Sequence, residues 1–143
     1  IVTLILRRLL RLTRERESAL RQLDAVLEQC PIGMSIIALE GGEPRIRLNR
    51  RGQEIFGLDA SPTRSDELLP RIKRPDGSDL PRDEVLGWRV LRGERAEPVE
   101  LLVVRADGGT VPVLARGAPL KDVQGEVVGG VIAFEDITWE KDI

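Results

Sequence analysis

Residues 1 to 29 contain no glycine and no proline, and Pro31 follows directly on that run. This feature constrains the fold most. A stretch rich in Leu, Arg, Glu and Gln, all good helix formers, predicts one continuous helix. Pro31 must end it, because the residue before a proline is pushed out of the α region. Leu6, Thr13, Leu20 and Leu27 recur every seven residues, with Leu9, Arg16, Leu23 and Cys30 as companions. The pattern is a heptad seam with a weak centre at Thr13 and Arg16. Glu17 precedes Arg21 by four residues, the favourable order for a helix-surface pair. So narrow an apolar stripe on so long a helix calls for a partner. A parallel homodimer through Leu6, Leu9, Thr13, Leu20, Leu23 and Leu27 is the expectation, and a helix folded back onto its own domain is the alternative.

The chain starts at Ile1 rather than methionine, and reads as a piece of a longer protein. Its first six residues are apolar apart from Thr3, and Arg7, Arg8, Arg11 and Arg14 follow. Six residues do not span a bilayer, which takes about 20. Arginines flanking an apolar run mark the cytoplasmic side. The segment is therefore either the end of a transmembrane helix or a plain amphipathic helix, and the expected location is cytoplasmic, with or without a tether to the membrane.

Beyond Pro31 the pattern changes. Met34 to Leu39 reads as a strand bounded by Gly33 and Gly41-Gly42, and Arg45 to Leu48 as a half-exposed strand. Asn49 sits where an N-cap belongs, before a short helix from Arg50 to Phe56 that Gly57 ends. Glu54, near its end, reads as a solvated charge. Pro62, Pro70, Pro75 and Pro81 leave room for one or two helical turns, at Ser65 to Leu69. Asp76-Gly77-Ser78 signals a turn. Asp83 to Arg92 predicts a longer helix with Val85, Trp88 and Leu91 as its buried stripe. Val99 to Val104, Thr110 to Leu120 and Val127 to Phe134 are strand-like, joined by turns at Asp107-Gly108-Gly109 and Asp122 to Gly125. Gly129 and Gly130 inside the last strand imply a bulge or close backbone approach. Strands at both ends with helices between them predict an α+β fold with one antiparallel sheet.

Chemistry is excluded more readily than assigned. With 143 residues, one cysteine, no histidine and no tyrosine, the chain lacks the commonest general base and metal ligand. It forms no internal disulfide or thiol metal cluster. Its carboxylates are scattered over turns and helix ends, without a nucleophile–base pair, so no catalytic residue is assigned. Gly129-Gly130 opens no helix and is not a dinucleotide site. A net charge of −2 gives no sign of a nucleic-acid partner.

From Leu23 to Thr138 the chain resembles the PAS family. The resemblance rests on an ordered set: Pro31-Ile32-Gly33-Met34, Asn49 with Ile55-Phe56-Gly57, Arg74-Pro75-Asp76-Gly77-Ser78, Leu91-Arg92-Gly93-Glu94, Asp107-Gly108-Gly109, Ala118-Pro119-Leu120, Gly125, Gly129 and Asp136-Ile137-Thr138. It implies a five-stranded antiparallel sheet, ordered 2-1-5-4-3, with helices on one face. The expected division is a signalling helix at 1–30, a PAS domain at 31–138, and the start of an exit helix or linker at 139–143.

The resemblance also implies a non-enzymatic sensor that relays a signal through its terminal helices to an output domain, such as a histidine kinase of a two-component system or a nucleotide cyclase. Asp136 and Thr138 stand at the signal exit, where Asp136 either couples sheet to helix or merely caps the helix. The pocket is expected among Met34, Ile36, Leu48, Ile55, Phe56, Trp88, Leu91, Ile132 and Phe134, which otherwise simply fill the core. The flavin, haem and coumarate branches of the family need a core cysteine, a histidine or tyrosines. None of these signatures is present, so no cofactor is predicted. A small apolar ligand remains, or a purely structural dimerisation module without one.

Overall fold

The computed structural model describes residues 1–61 and 64–141. Pro62, one of the predicted chain breakers, and the last two residues of the predicted exit segment, Asp142 and Ile143, lie outside the described residues. The first element is helix α1, Val2–Gln29, with Cys30 extended at its C-cap. None of its residues is fully buried. Strands β1 (Gly33–Glu40) and β2 (Glu43–Leu48) form a hairpin, and helix α2 (Arg50–Phe56) follows. Gly57 ends α2 in the left-handed region at φ 68°, a conformation glycine reaches without a Cβ penalty.

Single 3-10 turns at Ser65–Glu67 and Leu69–Arg71 lead into a two-residue strand, β3 (Ile72–Lys73). A third turn, Arg82–Glu84, precedes helix α3 (Leu86–Leu91). Strands β4 (Ala96–Val104), β5 (Thr110–Lys121) and β6 (Val127–Asp136) complete the sheet, and a last turn, α4 (Thr138–Lys141), leaves it.

The sheet is antiparallel, in the order β2-β1-β6-β5-β4-β3. Its five long strands follow the expected order 2-1-5-4-3. The sixth, β3, is an addition: Ile72 and Lys73 pair with Val103 and Leu102 at the edge. Two residues between a 3-10 turn and Pro75 carry no periodicity, which is why the sequence does not announce them.

One predicted helix is corrected. Asp83 to Arg92 is a 3-10 turn and a separate short helix, because Val85 between them is extended, with ψ 124°. That break shifts the phase. Val85, Leu86 and Val90 are buried, whereas Trp88 and Leu91 are only half-buried. The Trp88 ring lies under the Arg82 guanidinium, 4.5 Å from its centroid, at the domain surface.

The inner face of the sheet carries the core. Ile37, Leu48, Leu101, Val103, Val113, Ala115 and Phe134 point towards α2, α3 and the 3-10 turns. Phe56 and Phe134, the two phenylalanines of the chain, pack edge-on at 5.5 Å with their planes at 86°. Such a pair contributes about 0.5–1.5 kcal/mol beyond its buried area. The glycines of β6 mark both a close approach and an irregularity. A Cβ on Gly129 would stand 2.1 Å from the Ile37 carbonyl oxygen, and one on Gly130 would stand 2.4 Å from Val90 Cγ2. The β5–β6 register shifts beside Gly129, between Leu120 and Lys121.

Candidate functional site

Two places concentrate polar or empty space inside this fold: the first turn of α2, and a cavity between sheet and helices. The first is built on Asn49, which is 2% exposed. Its Oδ1 accepts from the backbone N–H of Gly52 at 2.9 Å, the N-cap bond that an Asn before a helix predicts. The same oxygen accepts from the N–H of Met34, also at 2.9 Å. Its Nδ2 donates to the carbonyls of Leu27 at 2.9 Å and Ile32 at 3.0 Å. The Asn49 N–H donates to the Met34 carbonyl at 3.0 Å. One side chain thus ties the end of α1, the linker after it, β1 and α2 together.

Charges on the surface reinforce the same junction. Arg47 of β2 donates to Asp24 at 2.5 Å and to Glu28 at 3.1 Å, both on α1. The hydrogen bond to Asp24, and then the one to Glu28, raise the Arg47 pKa above its usual value. Because all three groups face water, the cluster contributes about 0–1 kcal/mol, and it aims the helix more than it stabilises it.

The chain exit reaches the same short helix from the other side. Asp136 Oδ1 accepts from the Thr138 N–H at 2.9 Å and from its hydroxyl at 2.5 Å, opening α4. Its Oδ2 lies 3.6 Å from Arg51 Nη2 on α2, and Arg51 also donates to Glu54 at 3.2 Å. Ile137 is buried and its N–H donates to the Pro112 carbonyl at 3.0 Å. Lys141 pairs with Glu100 of β4 at 2.7 Å. Asp136 therefore both caps α4 and reaches α2. At the other end of α2, Arg105 donates to the carbonyls of Glu54 and Ile55, and the Ala106 N–H donates to Phe56.

The cavity measures about 80 Å³, taken as space open to the centre of a water-sized sphere. Phe56, Ile132 and Phe134 of the sequence candidates line it, together with Ser35, Ile37, Leu86 and Val113. Leu48 and Ile55 belong to the adjoining core, at 1% and 2% exposure, and do not border it. Trp88 borders the surface grooves beside Arg82, and it shares with Leu91 a smaller space of about 40 Å³.

Met34 and Ile36 are corrected: they lie on the opposite face of the sheet. Gly33 pairs with Phe134, and Ser35 with Ile132 and Leu48, so Gly33, Ser35 and Ile37 turn inward. Ile36 and Ile37 are both isoleucines, so alternation across β1 did not decide which faced the core. Sequence reasoning also missed Arg47, Arg51 and Arg105, whose links to other elements, through Asp24 and Glu28, through Asp136, and through the Glu54 and Ile55 carbonyls, join positions distant in the chain and leave no local signal.

Replacing Asn49 tests the junction. Asn49→Ala leaves buried backbone groups without partners and lowers the unfolding free energy by about 2–4 kcal/mol. Asn49→Asp keeps the acceptor but sets an oxygen against the Leu27 and Ile32 carbonyls. Its deficit relative to the native chain is larger at pH 7 than near pH 4, where a protonated carboxyl regains one donor. Urea unfolding of the three proteins at both pH values measures this.

A family model for the PAS domain matches residues 31–138. No curated protein sequence matches the chain. Among solved structures, the PAS domain of an HTR-like protein from Haloarcula marismortui is similar at TM-score 0.61 and 20% identity, over 89% of this chain and 98% of that one. The LOV domain of a blue-light activated histidine kinase from Erythrobacter litoralis is similar at TM-score 0.56 and 17% identity, over 76% and 98%. VqmA bound to DPO is similar at TM-score 0.57 and 19% identity, over 82% of this chain and 57% of that one. These likenesses are of fold. With the family model spanning most of its length, the chain belongs to the PAS domain family, whose members are sensory rather than catalytic domains.

Proposed function

We propose that this PAS domain is a regulatory sensor and dimerisation module that relays a signal between its terminal helices to an output domain of the same protein, a histidine kinase or a nucleotide cyclase. The observation that carries the reading is the double attachment of α2: Asn49 holds the end of α1, and Arg51 reaches Asp136 at the start of α4. A shift of this one short helix changes the angle of both outgoing helices, in the manner of a hinge or shear transition.

Dimerisation is assigned to α1. Leu6, Leu9, Leu20 and Leu23 are each more than half exposed, an apolar stripe without a partner in the monomer. Thr13, the weak centre of the seam, donates its hydroxyl to the Leu9 carbonyl at 2.9 Å, so its polar group is satisfied within the helix. Leu27 is half-buried at the domain junction, so the seam runs into the junction that Asn49 holds. Among the described residues no helix is long and apolar enough to cross a membrane. Sedimentation of the whole chain should give a dimer at high micromolar concentration, and a chain starting at Leu27 should dissociate more readily. A monomeric whole chain contradicts the assignment.

The signal is assigned to the cavity. Its lining has no histidine or cysteine, and Cys30 stands at the α1 C-cap outside it. Those side chains suit neither a haem nor a cysteine-linked flavin, so the reading is a colourless domain with a small apolar ligand. A space this small also suits the second reading, a structural dimerisation module with a nearly filled core. Asp136→Ala in the full-length protein tests the relay. A lost cap costs on the order of 1 kcal/mol. The relay further requires the output activity to become fixed in one state while the domain stays folded. Normal regulation with only the stability loss leaves Asp136 as a cap.

A further inference from the structure

Among the described residues the domain buries two polar side chains, Asn49 and Ser35. They differ in one respect. Every hydrogen-bonding group of the Asn49 side chain is used, as described above. Ser35 is 8% exposed and lines the cavity, yet its hydroxyl makes no hydrogen bond with another described residue. Among the described residues no side-chain oxygen or nitrogen that is sealed from solvent lacks a partner, so the Ser35 oxygen is open to the cavity space and free to pair with what enters it. The flanking inward positions offer no such group, with Gly33 under the Phe134 ring and Ile37 in the core.

The surroundings of Ser35 restrict what could pair with it. The cavity wall is apolar and carries no Asp, Glu, Lys, Arg, Asn or Gln. A charged ligand would lose its hydration there without a counter-ion, which disfavours ions strongly. Water is also a poor occupant, because a buried water needs 2–4 polar partners and the β-strand backbone around Ser35 is committed to its neighbours. On the scale used for the cavity, one water needs roughly 10–15 Å³, so 80 Å³ suits about five to eight heavy atoms.

We propose that the cavity takes a small neutral molecule, apolar except for a single hydroxyl or carbonyl, and that Ser35 Oγ is the group that pairs with it. The inference rests on the ligand-pocket reading above and adds to it the class of ligand and the residue that selects it. Because Ser35 lies on β1 one residue from Met34, whose N–H is held by Asn49, occupancy of the cavity acts on the strand that the α1 junction grips.

Phenol and toluene test it, since they have nearly the same shape and differ by a hydroxyl in place of a methyl. Methyl resonances of Ile132 and Val113 are titrated with each in the native chain, in Ser35→Ala and in Ser35→Thr. The expected result is saturable binding of both. Phenol should weaken by roughly 2- to 12-fold in Ser35→Ala, the worth of one neutral hydrogen bond. Toluene should be unchanged or slightly tighter, and Ser35→Thr should keep the affinity for phenol. If both ligands saturate but phenol binds Ser35→Ala as tightly as the native chain, the role of Ser35 is overturned and the pocket reading stands. If neither ligand gives saturable shifts in any of the three proteins, the pocket reading fails and the inference fails with it.

Discussion

The structure depends on the hydrogen bonds of one buried amide. Asn49 has two acceptor and two donor sites on its side chain, and the fold presents it with two N–H groups and two carbonyls. This arrangement fixes the amide orientation, since a flipped side chain would set oxygen against carbonyl and nitrogen against N–H. It also sets the path of the chain. Pro31 stops α1, and near that stop the Leu27 carbonyl, which also accepts from the Cys30 N–H, and the Ile32 carbonyl both accept from Asn49. Without that donor, the side-chain hydrogen bonds that tie α1 to the sheet among the described residues would be those of Arg47, which are solvent-exposed and weak.

Helix α2 is well suited to a coupling role because it is short and gripped from several directions. Its first turn meets α1 through Asn49 and α4 through Arg51 and Asp136, and its last turn is held by Arg105. Its buried face carries Ile55 in the core and Phe56, which packs on Phe134 and borders the cavity. The ion pair between Arg51 and Asp136 is about one-third exposed on each side. It is therefore a modest contact, easily broken or remade. A switch needs contacts of this size: 1.4 kcal/mol changes a two-state ratio tenfold, whereas a much stronger bond would hold one state permanently. The buried Asn49 network supplies rigidity and the exposed arginines supply adjustability.

Much of the fold was legible because local rules govern it. The Gly- and Pro-free run gave α1, and Asn49 and Gly57 bracketed α2 to the residue. Asp107-Gly108-Gly109 marked its hairpin, with Asp107 Oδ1 accepting from the Gly109 N–H at 2.9 Å. That bond, followed by the one from Arg105, lowers the Asp107 pKa below its usual value, so the charged form that makes this contact persists to lower pH than in a free aspartate. The failures were of phase. In β1 consecutive isoleucines hid which parity faced the core, and pairing with Phe134 decided it. In α3 an extended Val85 reset the helical register, and Leu86 and Val90 were buried instead of Trp88. Ser35 was overlooked because a serine between apolar residues on a strand reads as the exposed alternate. Arg51 and Asp136 are 85 positions apart, and no spacing rule joins them.

The central claim is that one short helix couples the two ends of the domain. The most direct measurement is amide hydrogen exchange across the chain in Arg51→Ala. This change removes the contact with Asp136 and touches no hydrogen bond of Asn49. The account predicts faster exchange at both ends, at Ile137 to Lys141 and at Leu27 to Met34, with the core strands β4 and β5 unaffected. Faster exchange confined to α4 and the Arg51 turn, with the α1 junction as protected as in the native chain, would contradict it.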